Sequence, residues 1–447
     1  MKVLIYSANF APEPVGIGKY SGEMAAWMAS QGHDVRVVAA PPYYPEWKIQ
    51  PEYRRPRYRR ERWRGVDVWR APVWVPSSPG ALKRILHLLS CAISSCPVMV
   101  RQVFWRPDVV ITVAPAIVCA PTGWLVARAC RAQCWLHVQD FEIDIAFKMS
   151  LLKSGRLQRL ALGLERWMLR RFDIVSSISR MMVKRLISKG VPEERTCHFP
   201  NWVDISHVHP RCDGSAYRAR LGIPPGAVVV LYAGSLGAKH GLMLIPAVAE
   251  LLRHRSDIVF VICGNGVMKQ PLALESRDMT NVKLLPLQPF EYLGDLLCMA
   301  DIHLLPQNAE ATDLVLPSKL SGILASGRPV VATCPAGSEL ESVVSRCGIV
   351  ARPDDKEALA EAIARLADVA DTRQQLGRRA RLWAEANFES EAVLARAFGF
   401  LNAPETSRAS HPAATKTVDN PPASTNARPA PDVALTRGAR DESAVGF

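Results

Sequence analysis

The feature that most constrains the fold is a repeated alternation of short β-branched runs with helix-length amphipathic segments. In the first half the runs are KVLIYSA, HDVRVVAA, PDVVITVA, QCWLHVQD and FDIVSSIS. After a stretch over 191–214 that is rich in Pro, His and Asn, the pattern continues with AVVVLYAG, DIVFVICGNG, NVKLLPL, ADIHLLP, RPVVATC and CGIVARP. Strands that alternate with helices form parallel sheets covered on both faces. The sequence therefore predicts an α/β protein.

The two series of strands predict two doubly wound, Rossmann-like domains with a cleft between them. A chain of 447 residues is also too long for one ordinary core. We place the first domain at 1–203, the second at 204–385 and a final helix at 386–402. Residues 403–447 contain almost no large apolar side chains, so we expect a disordered tail there.

The net charge of +13 is concentrated in the stretch 48–70, which carries nine Lys or Arg against three acids. An apolar run of sixteen residues, 85–100, follows it. Three interpretations stay open: a solvated loop before a core helix, a nucleic-acid patch, or a surface that docks on anionic lipid. No other segment resembles a nucleic-acid module, so we do not expect a nucleic-acid partner. The run falls short of the ~20 residues that span a bilayer, so if it contacts a membrane we expect it to lie along the surface.

Cysteine usage favours a reducing compartment. The chain has eleven cysteines, an odd number, and none of them is spaced as CxxC. We therefore expect thiols rather than disulfides or a zinc ribbon. The chain starts with a strand-like run instead of a signal sequence, so a cytoplasmic location is expected.

The segment PEPVGIGKYSGEMAAW, 12–27, places a glycine-rich loop between the first strand and the first helix. It departs from a dinucleotide fingerprint because the third glycine is late, two prolines precede Gly16, and the second strand ends without an acid. We predict that Gly16, Gly18 and Lys19 bind a phosphate or acceptor group through backbone N–H groups and charge. A glycine turn needed only for close packing is the alternative.

Four stretches in a fixed order carry a family resemblance. They are FAPEPVGIGKYSGEMAAWMASQGHDVRVVAAPPYYPEW, LHVQDFEIDIAF, YAGSLGAKHGL and VLPSKLSGILASGRPVV. The set resembles the GT-B retaining glycosyltransferases of family 4, most closely those of colanic acid and O-antigen biosynthesis. The resemblance covers about residues 1–400 and omits the tail.

The resemblance implies a reaction, a donor and an acceptor. A sugar would move from a nucleoside-diphosphate sugar to a saccharide on a polyprenyl diphosphate, with retention of the anomeric configuration. The donor would bind the second domain and the acceptor the first, and the last helix would cross back to the first domain. These partners imply a peripheral contact with the cytoplasmic face of the inner membrane.

Negative charge grows on the β-phosphate as the glycosidic bond breaks, and an enzyme must neutralise it. The sequence contains no DxD motif, which favours lysines and helix N-termini over a metal, so we expect no cofactor and no metal. Lys319 begins a helix after Pro317 and Ser318. Lys239 follows the strand VVVLYAG in a loop where Gly234 and Gly237 let the backbone approach a phosphate closely. The remaining nucleotide-contact candidates, from the loops after the next two strands, are Asn265 and Leu287.

Two departures from the family pattern affect the remaining candidates. The family's paired glutamates align with Leu314 and Gly322, so Asp313 is a partial substitute at most. A histidine that often precedes the first-domain aspartate is replaced by Gln139, with His137 two residues earlier. Asp140, at a strand's C-terminal end, is the preferred catalytic carboxylate, and His137 is the second candidate. A sugar-nucleotide 2-epimerase and a non-catalytic assembly subunit remain the alternative functions.

Overall fold

Two sheets account for the alternation of strands and helices. The computed structural model describes residues 1–77, 80–113, 118–141, 155–237, 240–308 and 316–402. These all belong to one compact unit, Met1–Thr415, whereas a short second unit, Lys416–Phe447, lies outside the described residues. The predicted tail, 403–447, is likewise outside them.

The described strands of the first sheet number eight, in the order β3-β4-β2-β1-β5-β6-β7-β8. Every neighbouring pair is parallel except β3 with β4. The strands are β1 Lys2–Ser7, β2 Asp34–Ala39, β3 Arg59–Trp63, β4 Val66–Arg70, β5 Val109–Val113, β6 Gln133–Val138, β7 Ile174–Ser177 and β8 Thr196–His198. The helices along this part are α1 Gly16–Ser30, α2 Ala81–Trp105, α3 Ala120–Cys130, α4 Gly155–Leu169 and α5 Arg180–Ser188.

The second sheet is parallel throughout, in the order β11-β10-β9-β12-β13-β14 among the described strands. They are β9 Val228–Ala233, β10 Ile258–Cys263, β11 Val282–Leu285, β12 Ile302–Leu305, β13 Val330–Thr333 and β14 Gly348–Ala351. The helices are α6 Ser215–Arg220, α7 Leu244–Leu251, α8 Lys269–Glu275, α9 Leu293–Cys298, α10 Lys319–Ala325, α11 Glu339–Cys347, α12 Lys356–Asp368, α13 Ala370–Asn387 and α14 Ser390–Asn402.

Each sheet is buried on both faces, as the near-continuous apolar strands predict. In β1, Val3 and Ile5 belong to one apolar cluster, and Leu4 and Tyr6 belong to the cluster on the opposite face. The strands of the second sheet divide in the same way between two clusters. The prediction of two doubly wound α/β layers is confirmed.

The final helix, α14, packs on the first sheet although it follows the second sheet in the chain. Phe398 contacts the ring of Trp27 at 5.3 Å and stacks on His33 at 5.7 Å between centroids. Where the chain crosses between the sheets, the amide of Val203 donates to the Phe388 carbonyl at 2.8 Å.

The basic stretch 48–70 is not a simple solvated loop, because it forms the antiparallel pair β3 and β4. Arg70 at the end of β4 is 1% exposed and donates to the carbonyls of Ala11 and Ala40 and to the Glu61 carboxylate. One of the basic residues therefore fixes the loop after β1.

The apolar run 85–100 is the middle of a longer helix than the sequence analysis supposed. α2 has 25 residues and includes Pro97. By length and composition alone, its segment Leu82–Trp105 is a candidate membrane span, with one third of the most apolar window buried. The core helix of a protein that does not cross a membrane passes the same test. The expectation concerned the sixteen-residue run, and the helix that contains this run is longer than the run itself. No disulfide links any of the eleven cysteines, all of which lie in the described residues.

Candidate active site

Ligands of doubly wound sheets bind at the carboxyl ends of the strands, where the strand order reverses. In the first sheet that point lies beside β1, between β2 and β5, and in the second sheet beside β9, between β10 and β12. The glycine-rich loop follows β1, and Gly234 directly follows β9. Most sequence candidates are therefore at these two edges.

The glycine-rich loop is organised around a buried carboxylate that the sequence analysis missed. Glu13 is 3% exposed, and its Oε1 accepts the amides of Tyr43 at 3.1 Å and Tyr44 at 3.0 Å. Its Oε2 accepts the Asn9 side-chain amide at 3.0 Å. A Cβ on Gly18 would lie 2.4 Å from this Oε2. Gly18 is therefore required for the approach of Glu13, which is a packing role.

Burial raises the pKa of Glu13 to about 7, against the lowering effect of its backbone hydrogen bonds. A carboxylate near half-protonation at neutral pH sits at the base of this loop. The local sequence APEP does not indicate that Glu13 is buried, because its burial depends on packing against the loop that carries Tyr43 and Tyr44.

Tyr44 and Asp140 bring two further strand ends to the same place. The Tyr44 ring approaches Gly16, since a Cβ added there would lie 3.5 Å from Tyr44 Cε1. Gly16 itself has φ of 64°, which a glycine adopts without strain. Burial raises the pKa of Tyr44, and the negative charges of Asp140 and Glu13 raise it further. Asp140 follows β6, is half-buried, and lies close enough to Tyr44 for its charge to act on that hydroxyl.

The catalytic candidate His137 is buried beside β7, near the carboxyl end of β6. It is 3% exposed, its Nδ1 lies 2.8 Å from Ser176 Oγ, and its ring contacts Phe199 at 4.9 Å between centroids. Burial lowers the pKa of His137 to about 3, so the imidazole is neutral at pH 7. The neighbouring candidate Gln139 is also buried, at 6% exposed. In this arrangement His137 supports the packing of β6 on β7.

Lys19 lies on α1 with its charge already paired. Its Nζ is 3.1 Å from Glu23 Oε1 and 4.5 Å from the Tyr20 ring centroid. It also lies 5.6 Å from the ring of Phe290, which follows the second sheet's strand β11. Lys19 therefore faces the second sheet's loops.

In the second sheet, the loops after β9 and β10 are joined by backbone hydrogen bonds. The amide of Gly234 donates to the Cys263 carbonyl at 2.9 Å, and that of Leu236 donates to the Asn265 carbonyl at 2.9 Å. A Cβ on Gly264 would lie 1.9 Å from the Gly234 carbonyl oxygen. The glycines thus allow the two loops to lie directly against each other at one edge of the sheet.

The remaining loop candidates border this edge. Asn265 is exposed, and its Oδ1 accepts the amide of Gly266 at 3.1 Å. Leu287 is 41% exposed after β11. Gly237 lies beside the His240 ring, since a Cβ added to this glycine would be 3.2 Å from that ring.

Lys319 is the candidate that the structure places most clearly. It begins α10, its Nζ donates to the Tyr232 hydroxyl, and it lies 4.1 Å from the centroid of the Tyr232 ring. A Cβ on Gly234 would be 2.9 Å from Lys319 Cε. The ammonium of Lys319, from the start of α10, therefore lies directly at the end of β9. Burial raises the pKa of Tyr232, so this hydroxyl stays neutral beside it.

Tyr232 is a second residue that the sequence analysis missed. It is the penultimate residue of the run VVVLYA, and an aromatic hydroxyl among aliphatic residues near the end of a strand was a usable signal. Pro317 precedes α10 and accepts the amide of Leu320 at 2.9 Å. Ser318 is exposed, and its side chain does not cap the helix. The candidates Lys239 and Asp313 lie outside the described residues.

The comparisons with known proteins agree with this architecture. Residues 15–202 match the family described as Glycosyl transferase 4-like domain, and residues 227–368 match Glycosyl transferases group 1. The chain is 40% identical over 409 residues to WcaI of Escherichia coli (strain K12), named as a colanic acid biosynthesis glycosyl transferase. That alignment covers 88% of this chain and 98% of WcaI.

Two further proteins resemble the chain more distantly. A GDP-mannose-dependent monoacylated alpha-(1-6)-phosphatidylinositol monomannoside mannosyltransferase of Corynebacterium glutamicum is 26% identical over 253 residues, which is 55% of this chain and 64% of that enzyme. The crystal structure of Anabaena Alr3699/HepE in complex with UDP and glucose has a TM-score of 0.63 and 16% identity, covering 90% of this chain and 99% of that one. The chain belongs to the GT-B glycosyltransferases that join a glycosyl transferase 4-like domain to a group 1 domain.

Proposed function

We propose that this glycosyltransferase moves a sugar, with retention, from a nucleoside-diphosphate sugar to a saccharide acceptor on a polyprenyl diphosphate. The reaction would serve bacterial exopolysaccharide or O-antigen assembly at the cytoplasmic face of the inner membrane. The observation that carries the donor half is the position of Lys319 at the end of β9, against Tyr232 and Gly234. The name of WcaI supports the polysaccharide assignment, and the name of the Corynebacterium enzyme supports a lipid-linked acceptor.

The proposed chemistry places the diphosphate against Lys319 and the start of α10. Lys319 would neutralise the negative charge that develops on the β-phosphate as the glycosidic bond breaks. Because a fixed ammonium supplies this charge, we propose that transfer needs no metal. Asp140 and Tyr44 would face the acceptor from the first sheet. We assign no described carboxylate the role of a nucleophile. In a retaining transfer the leaving diphosphate would then deprotonate the acceptor hydroxyl.

The donor assignment is tested by thermal unfolding with UDP, GDP, dTDP and ADP, each with Mg²⁺ and with EDTA. A ligand at ~100 times its dissociation constant adds roughly 2.7 kcal/mol to the free energy of unfolding, or about 5–10 °C. We expect such a shift with one nucleotide in both conditions. Lys319→Ala should abolish it, whereas Lys356→Ala, which removes an exposed lysine at 48% side-chain exposure, should not.

The outcomes are separable. A shift that requires Mg²⁺ would refute the metal-independent part, and the absence of any shift would refute the donor assignment. Nucleotide binding without turnover on lipid-linked saccharides extracted from membranes would instead favour an assembly subunit. The anomeric configuration of the product, read by NMR, decides retention.

The acceptor half rests on an exposed apolar surface of the first domain, formed by α2, α3 and α4. On α2, Leu82 and Ile93 are each 70% exposed and Phe104 is 85% exposed. α2 packs beside α3, and the Trp124 ring of α3 contacts Trp167 of α4 at 6.3 Å between centroids. Apolar side chains therefore remain exposed across one layer of helices rather than at scattered positions.

The charge of this helical surface suits an anionic membrane. Across α2, α3 and α4 there are seven Lys or Arg and one acid, Glu165. Glu165 is 2% exposed and pairs with Lys189, the residue directly after α5, so it adds no negative charge to the surface. Each basic residue near an anionic bilayer contributes about 1 kcal/mol of attraction. We therefore propose that this surface docks on the membrane and presents the first sheet's edge to a lipid-linked acceptor.

Co-sedimentation with vesicles tests the docking surface. The full chain should bind vesicles that contain phosphatidylglycerol and bind phosphatidylcholine vesicles weakly, with a loss of binding at high salt. Phe104→Glu should weaken binding by about tenfold to a hundredfold, since it removes a large apolar group and adds repulsion. Leu274→Glu, at a position 74% exposed in the second domain, is the matched control. Equal binding by both variants would refute this surface.

A further inference from the structure

The helix α5 of the first domain has its N-terminal amides satisfied from the second domain. Ser179 caps the helix in the usual way, because its Oγ accepts the amide of Met182 at 3.1 Å. The two preceding amides, of Arg180 and Met181, donate to Glu339 Oε1 at 3.1 Å and Oε2 at 3.0 Å. Glu339 is the first residue of α11, which follows β13 of the second sheet. One carboxylate therefore joins the carboxyl edges of both sheets.

The geometry makes this a strong contact for a single side chain. Each carboxylate oxygen takes one amide, and bonds to a charged acceptor are stronger than neutral ones. The carboxylate also lies at the positive ends of two helix dipoles, its own helix and α5. Its neighbour Glu341 behaves differently, since it accepts the amide of Gly337 at 2.5 Å and stays within the second domain.

The two domains also lie close together on the same side. The Tyr20 side chain on α1 lies beside Ser321 of α10, two residues after Lys319. A cavity of only about 10 Å³ remains where Asn201 meets Leu316, Pro317 and their neighbours, which is room for about one water. The first and second domains thus touch closely beside the residue proposed to hold the diphosphate.

We propose that Glu339 is a positioning residue for glycosyl transfer, which clasps α5 and so sets the acceptor edge of the first sheet against the donor edge of the second. This rests on the proposed placement of the donor at Lys319 and the acceptor near Asp140. The clasp acts only when the domains are together, because its two amides and its carboxylate belong to different domains. It governs the population of the catalytic arrangement without touching the donor.

The test compares Glu339→Ala and Glu339→Gln with Glu341→Ala, which removes an equal charge from the same turn. Loss of two charge-assisted hydrogen bonds should shift the open–closed equilibrium about tenfold to a hundredfold toward open. In small-angle X-ray scattering of the full chain, Glu339→Ala should raise the radius of gyration and Glu341→Ala should not. kcat should fall at least about tenfold, with little change in the affinity for UDP or GDP measured separately.

Three results would overturn the clasp. They are an unchanged radius of gyration in Glu339→Ala, the same increase in Glu341→Ala, or an unchanged kcat at saturating donor. Glu339→Gln keeps the side-chain volume and one acceptor oxygen, so it provides the comparison if the Ala variant fails to fold. A wild-type protein that binds no nucleotide would refute the donor assignment instead, and the scattering comparison would still decide the clasp.

Discussion

Replacing Glu13 by Gln should change how the stability of the first domain depends on pH. Burial raises the pKa of this carboxyl from 4.5 to about 7 in the folded protein. Between these values the folded state binds more protons than the unfolded state, so the free energy of unfolding falls as pH rises. The stabilisation is complete below about pH 4.5 and is lost as pH passes 7. Gln does not titrate, so the variant lacks this dependence.

The size of the effect follows from the two pKa values. One pKa unit corresponds to 1.36 kcal/mol, so the carboxyl contributes about 3 kcal/mol of pH-dependent stability. For a domain of about 200 residues this is roughly 6–12 °C in Tm. The Gln side chain can keep the bonds to the amides of Tyr43 and Tyr44 through its oxygen, which limits other losses.

The assay is thermal unfolding of wild type and Glu13→Gln at pH 5 and at pH 8. The Tm of wild type relative to the variant should fall by several degrees between the two conditions, because all other titrations are shared. Glu46→Gln, at an exposed position after the Tyr43–Tyr44 pair, controls for the loss of one carboxylate. A Tm difference that is the same at both pH values would show that Glu13 is ionised throughout, and would refute the reasoning.

Three other substitutions test separate parts of the structure. Gly264→Ala should lower nucleotide affinity in calorimetry and destabilise the second domain by about 1–3 kcal/mol, because its Cβ has no space beside the Gly234 carbonyl; an unchanged affinity would contradict the loop packing. Lys189→Met should cost about 3–5 kcal/mol in urea unfolding by removing the ammonium that neutralises the buried Glu165 carboxylate, whereas adding Glu165→Leu should restore most of the loss. A double variant no more stable than the single one would contradict this. Arg70→Lys should destabilise by about 2 kcal/mol or more in the same assay, because one ammonium cannot serve two carbonyls and a carboxylate; a neutral result would show that these bonds are dispensable.

The strands were predictable because burial on both faces leaves a nearly continuous β-branched run. Three strands of the first sheet, β3, β4 and β8, were not predicted. Four of the five residues of β3 (RRERW) are charged, β4 (VDVWR) is its partner in the same basic stretch, and β8 has only three residues. The length of α2 was not predicted because Pro97 normally interrupts a helix. Here the helix continues through the proline, since its inner face packs on the first domain.

In the candidate site, residues beside glycines at strand ends were predictable, and Lys319 is the clearest case. The burial of individual side chains was not predictable. His137 follows the alternation of β6 into the interior, where Phe199 and the final helix cover that face. Glu13 and Glu339 were missed because their partners lie in other loops or in the other domain, and no local pattern marks such a partner.

The return of α14 to the first sheet also orders events during synthesis. Six of its residues, including Phe398 and Leu401, complete an apolar cluster whose other members come from residues 3–202. The ribosome must therefore make the whole second domain before the first can close its core. Until then one face of the nascent sheet lacks its cover. Chaperone contact with the half-made chain should consequently persist until the last helix emerges.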